Sequence, residues 1–474
     1  MSFKNFLAGR WVDGDDILEV EDPATGETVA EAPLAGEVTL ERALEAARKS
    51  AERGDLAAMV PQRRADLMRR IAQEIRSIAA EGAELLTRES GKRLSDARAE
   101  FDEAAAYFDY YGGMADKMEG KHIPLGPNYV DYTVLEPVGV SAQVVPWNFP
   151  VSLAARSLAP ALATGNAVIV KSPELDPLGL TVLARALEAA EVPEGAVSIL
   201  NGTGIDLGAK LVASSRIDQI VFTGSVPTGQ AILRAAAENV TPSLMELGGK
   251  SAAIAFDDAD LDTLLESVRW GIFFNAGQVC SAMSRLLVQR GLYNRAVEAC
   301  AALANSLSVG HGLDEADHTP VISARQLGGI AQMVSAAIRD GAIAAAGGAP
   351  LARAGHFMAP TVLRDVRPDS RIALEEVFGP VLCMIPFDTE EEAIAIANGT
   401  EFGLVAGVFT HDLSRAHRVA SKLRAGQVFV NEWFAGGIAT PFGGIGKSGF
   451  GREKGVEALF NYVRTKNVAI SLKR

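Results

Sequence analysis

Three cysteines in 474 residues are too few, and too irregularly spaced, for a disulfide framework or a zinc cluster. A reducing compartment follows, with no metal. Basic charge is also scarce: 45 Lys and Arg against 59 Asp and Glu leave a net charge of -14. That balance argues against nucleic acid as a partner, because phosphate binding needs a cationic excess. No window approaches the about 20 uninterrupted apolar residues of a membrane span. The opening MSFKNFLAGRWVDG lacks the apolar run of a secretory leader. A cytoplasmic protein with no membrane partner is therefore expected. Internal repeats and low-complexity segments are absent too. What is present is ordinary for a globular chain, 48% apolar and 22% charged, and too long for one compact core.

From Pro61 the pattern is helical, with Leu67, Ile71, Ile75 and Ile78 recurring at helical spacing. Pro61 suits a first turn, where its missing N–H costs nothing. From Val138 onward apolar strand-like runs alternate with helical ones: residues 138–145, 167–171, 196–200, 217–224 and 251–256, with a helix over 178–191. That alternation predicts an α/β fold with a parallel sheet covered on both faces. After Cys280 a second series appears (285–289, 381–387, 405–410, 426–432), so two α/β domains are expected. The proline-punctuated stretch 120–139 reads as a projecting hairpin, and 461–472 as a strand. Exposed edges of this kind invite pairing with another subunit.

Cys280 follows a helical stripe (Leu261, Leu264, Leu265, Val268, Ile272) with an aspartate-rich start at Asp257, Asp258 and Asp260. Asn275, Gly277 and Gln278 break that pattern, leaving the cysteine in a turn where backbone N–H groups can face a ligand. It is either a small buried hydrophobe or a nucleophile, and the latter needs a lowered pKa or a nearby base. Glu246, in TPSLMELGGKS, is a base candidate, since an isolated glutamate at a strand end has its proton affinity raised; it could equally be an ordinary salt-bridged acid. Asn148, in PWNFP, has an amide that can donate to an oxyanion, or could cap the helix that starts at Pro150.

Taken in order, PWNFP (146–150), VKSPE (170–174), FTGSVPTG (222–229), MELGGK (245–250), GQVC (277–280), EEVFGP (375–380) and PFGGIGKSGFGRE (441–453) span the chain. Together they resemble the NAD(P)-dependent aldehyde dehydrogenase superfamily, in its hydrolytic rather than coenzyme A-acylating branch. The resemblance implies an NAD-binding domain (1–119 with 139–248), a catalytic domain (249–460) and an oligomerisation arm (120–138 with 461–474), in a homodimer or homotetramer. It implies that Cys280 attacks the aldehyde, that Asn148 and the Cys280 N–H hold the oxyanion, and that Glu246 activates water against the thioester. Glu453 matches a second family glutamate that relays protons, but the lysine that often accompanies it is replaced by Ser157.

For the cofactor, Gly224, Ser225 and Gly229 match the phosphate loop, which is not the GxGxxG fingerprint. Lys171 and Glu174 match the adenosine-ribose contacts, Glu376 and Phe378 the nicotinamide-ribose contacts, and Trp147 a flanking ring. A carboxylate at position 174 favours NAD over NADP. Arg156 stands where semialdehyde-oxidising members often carry an arginine for the substrate carboxylate; an internal salt bridge is its other reading. The second arginine of such members is here Phe274. Trp433 and Phe434 match the opposite tunnel wall and suggest an aliphatic or aromatic aldehyde. Cys300, on an alanine-rich helix, and Cys383, on an apolar strand, match no site. A coenzyme A-acylating enzyme, disfavoured by Glu246, and a non-catalytic binding or structural protein are the alternatives.

Overall fold

The computed structural model describes residues 3–473. Two large sheets dominate it. In the first, strands Ser243–Glu246, Gln219–Thr223, Val140–Val144, Ala167–Lys171 and Val197–Leu200 lie side by side and parallel. Each is buried on both faces, which their near-continuous apolar runs require. Short antiparallel strands extend it: Gly449–Phe450 beside 243–246, and Asn5–Leu7 with Arg10–Val12 beyond 197–200. The second sheet runs Ile343–Ala346, Thr361–Arg364, Val381–Phe387, Arg285–Gln289, Ala252–Ala255, Val405–Phe409 and Gln427–Val430. All its pairings are parallel except the first. The α/β class with two parallel-type sheets is as the sequence implied, and strands 285–289 and 381–387 fall where their apolar runs do.

The chain leaves the carboxyl end of 243–246 and enters the amino end of 252–255 after five residues. The carboxyl edge of the first sheet therefore meets the amino edge of the second. In the first sheet the strand order reverses between 140–144 and 219–223. Such a switch point leaves a crevice beyond the strand ends, where open α/β sheets bind ligands.

Pro61 opens the helix Pro61–Ser90, which buries Leu67, Ile71 and Ile75. Asp260 caps the helix Leu261–Val268, accepting from the Thr263 N–H at 2.8 Å. One expectation is corrected. The stretch 120–139 is not a self-contained hairpin, because Tyr129–Pro137 pairs antiparallel along its length with Val463–Ser471, and only an isolated bridge joins His122 to Tyr132. A second antiparallel pair, Asp16–Glu21 with Thr28–Leu34, was not anticipated. No helix among the described residues is long and apolar enough to cross a membrane.

Candidate active site

The residues singled out from sequence converge where the two sheet edges meet. Strand 140–144 ends in Pro146-Trp147-Asn148-Phe149, and Pro150 starts the buried helix Pro150–Thr164. Three successive side chains here go to three places. The Trp147 ring meets Phe378 edge-on at 5.2 Å. Asn148 donates from Nδ2 to the Gln278 carbonyl at 3.0 Å. Phe149 stacks on Phe274 at 5.8 Å. The capping alternative for Asn148 is set aside, since the cap position is Phe149 and no side chain caps this helix.

The loop is strapped by residues that sequence reasoning missed. Lys92 Nζ and Asn275 Nδ2 both donate to the Asn148 carbonyl, at 3.0 and 3.1 Å. Lys92 is also ion-paired with Glu100, which accepts from the N–H groups of Val151 and Ser152 in the helix's first turn. Both members of that pair are buried. A negative charge at a helix N-terminus is favourable, and here it also fixes the amide of Asn148 by fixing the loop before it. Nothing in the local pattern distinguishes Lys92 or Glu100 from solvent-facing charges.

Cys280 sits beyond a short left-handed stretch, with positive φ at Asn275, Ala276 and Gly277. Gly277 is required there: a Cβ would fall 2.2 Å from the Gly379 carbonyl oxygen. The Cys280 N–H has no hydrogen-bond partner among the described residues. Burial, opposed by Arg156 but aided by Glu246 and Glu376, pushes its thiol up to about 12. Cys280, Asn148 and Arg156 line one cavity of about 450 Å³, walled by Phe149, Phe274, Phe434 and Phe442. Trp433 stands behind that wall; its Nε1 donates to the Ser281 carbonyl at 3.1 Å, bracing the cysteine turn. Cys300 and Cys383 are fully buried in the core, as expected.

Glu246 ends its strand fully buried, and its Oε1 has no partner. Burial, reinforced by Glu453, holds its carboxyl well above the usual carboxylate range, while Arg156 and Arg452 pull it back. Glu453 is buried and accepts from Ser157 Oγ at 3.0 Å. It also forms a salt bridge with Arg156. The guanidinium is therefore already paired within the protein.

The cofactor candidates lie on the other side of Asn148, at the strand ends of the first sheet. Lys171 is buried and reaches Glu174 at 3.5 Å; burial lowers its proton affinity and Glu174 partly restores it. Glu174 also accepts from the Gly204 N–H. Gly224 donates to the Glu246 carbonyl at 3.0 Å, so the candidate phosphate loop and base are tied together. Ser225 caps the helix Val226–Asn239, and Gly229 lies in its first turn against Leu247. Glu376 accepts from the Gly249 N–H at 2.9 Å, and burial raises it to about 7. Carboxylates set to accept from ribose hydroxyls, beside a helix N-terminus for phosphate, fit a dinucleotide. A thiol beside an amide donor and a buried carboxyl can add to a carbonyl and later release an acyl group.

Comparison with known proteins agrees with this chemistry. The profile of the Aldehyde dehydrogenase family matches residues 11–468. The chain is 39% identical to a betaine aldehyde dehydrogenase of Cereibacter sphaeroides, over 98% of this chain and 97% of the relative. It is 38% identical to an aldehyde dehydrogenase from Bacillus cereus solved as its NAD+ complex, with a TM-score of 0.98 over 100% of this chain and 97% of that one. A betaine aldehyde dehydrogenase from Staphylococcus aureus in complex with NAD+ gives 35% identity and a TM-score of 0.98 over 100% and 95%. The chain belongs to the aldehyde dehydrogenase family and is an NAD-dependent oxidoreductase acting on aldehydes.

Proposed function

We propose that this enzyme oxidises an aldehyde with an uncharged, aromatic-compatible tail to the free acid, through a thioester on Cys280. In this reading the sulfur of Cys280 adds to the aldehyde carbon. The side-chain amide of Asn148 and the Cys280 N–H hold the developing oxyanion. NAD, when bound, supplies the hydride acceptor. Glu246 then takes a proton from water, which attacks the thioester and frees the acid. A buried carboxyl at that point favours water over an acyl acceptor such as coenzyme A. Lys171, Glu174, Gly224, Ser225, Gly229, Glu376, Phe378 and Trp147 would hold the dinucleotide. The antiparallel arm of 129–137 with 463–471 would join subunits, since both its strands are largely exposed.

The observation that carries the substrate class is the salt bridge between Arg156 and Glu453, in a cavity otherwise walled by phenylalanine. An anionic tail would have to break that pair. A second reading, a cationic tail, is favoured by the adjoining hollow, where Asp262, Glu266 and Glu432 surround Trp270 and Phe434; aromatic faces attract quaternary ammonium groups. The betaine aldehyde dehydrogenases among the relatives support it as well. NADH formation with benzaldehyde, an unbranched aliphatic aldehyde, betaine aldehyde and succinic semialdehyde tests both. The neutral aldehydes should exceed the semialdehyde in kcat/KM by at least about tenfold, a difference of 1.4 kcal/mol. A leading betaine aldehyde would favour the second reading, and a leading semialdehyde would sink both.

The cofactor preference is proposed on Glu174, whose carboxylate repels a 2′-phosphate. Glu174→Gln should raise kcat/KM with NADP relative to NAD by about 10-fold or more, the usual scale for one charged contact. An unchanged ratio would mean that Glu174 does not read the ribose.

A further inference from the structure

Arg156 carries a charge into an apolar chamber. It lies on the second turn of helix 150–164, is 5% exposed, and faces the cavity that also holds Cys280. Its guanidinium is held on several sides. Glu453 forms the salt bridge, Ser157 steadies that carboxylate, and the face of Phe442 lies 5.4 Å from Cζ. Nε has no partner. Such an anchor fixes the position of the charge and leaves it little freedom to follow a substrate.

The charged and titratable groups around it are known from every neighbouring element. Helix Leu94–Gly112 contributes Glu103 and Tyr107; the strand end contributes Glu246; the segment after Gly451 contributes Arg452, Glu453 and Lys454. Cys280 has two acidic neighbours, Glu246 and Glu376, and Arg156 is the cation that opposes them. A thiolate attacks; a thiol does not. An arginine keeps its charge at every working pH, whereas a lysine buried in such surroundings can lose it.

We propose that Arg156, anchored by Glu453, is the positioning residue that supplies the fixed positive charge of the reaction chamber and so promotes ionisation of Cys280. This rests on Cys280 being the nucleophile. Its consequence is that Arg156 sets the pH range of the first chemical step and has no part in choosing the aldehyde's tail.

The test is alkylation of Cys280 by iodoacetamide, an uncharged reagent, from pH 6 to 10 in the full-length protein, with the labelled peptide identified by mass. NAD binding confirms that each variant is folded. Arg156→Leu should be alkylated about tenfold more slowly at pH 8, a midpoint about one unit higher. Arg156→Lys, which keeps a cation, should stay within about threefold of wild type. Should the leucine variant fail to fold around an unpaired Glu453, the double variant Arg156→Leu with Glu453→Gln leaves no uncompensated charge and should keep the raised midpoint. Equal midpoints in all folded variants overturn the proposal. So does a lysine variant as slow as the leucine one, or a loss confined to KM for succinic semialdehyde. The underlying reading fails separately, if Cys280→Ala still turns over.

Discussion

Cys280→Ala leaves a protein that binds NAD as the wild type does and forms no NADH from any aldehyde. The loss should be at least about 10⁴-fold, the scale seen when a covalent nucleophile is removed. No other sulfur can stand in, because Cys300 and Cys383 are fully buried in the core of the second sheet. The fold should survive the change. The side chain of Cys280 is only partly covered, and the turn is braced by Trp433, Asn275 and Gln278 rather than by sulfur. Nucleotide affinity and thermal midpoint should therefore stay close to wild type while turnover vanishes. Turnover within about tenfold of wild type would remove Cys280 from the mechanism.

Glu246→Gln separates the two halves of the reaction. Rapid mixing should show a burst of about one NADH per subunit, then a steady rate slower by about 10² to 10⁴, the usual worth of a positioned general base. The amide keeps the shape of the side chain but cannot accept the proton of the attacking water. The pH dependence follows from the direction of the shift. Burial raises the Glu246 carboxyl, so below that raised value it holds a proton and cannot act. Wild-type thioester hydrolysis should thus climb with rising pH through that value and then level off. In the glutamine variant this limb disappears. Normal burst and steady phases together would assign the proton to another group.

Much of this architecture is legible in the sequence because parallel strands buried on both faces need unbroken apolar runs. RLLVQ and VLCMIPF coincide with their strands for that reason. What is not legible is pairing over distance. The strand 129–137 reads as half a hairpin until its partner, more than 300 residues later, is seen beside it. The three-residue strands at 5–7 and 10–12 are too short to carry a pattern. At the site, segment order identified Cys280, Asn148 and Glu246, and the structure gathers them around one region. Arg156 was ambiguous because its helix is apolar on every side except at that residue. Its burial could be inferred, but Glu453, its counter-ion, lies 297 positions away. Lys92 and Glu100 were invisible because a charge on an amphipathic helix usually faces water.

The succession Trp147, Asn148, Phe149 constrains how such an enzyme can diversify. One peptide carries a wall for the dinucleotide, a donor for the reacting oxygen and a wall for the aldehyde, each about 3.5 Å further along the backbone. An insertion or deletion there would shift all three together, so adaptation to a new aldehyde is penalised if it begins at Phe149. The opposite wall carries no such burden: Phe434, Gly436, Gly437 and Thr440 line the cavity without touching the strand ends that face the nucleotide. New substrate ranges should accumulate in that loop first, while the three-residue partition stays fixed.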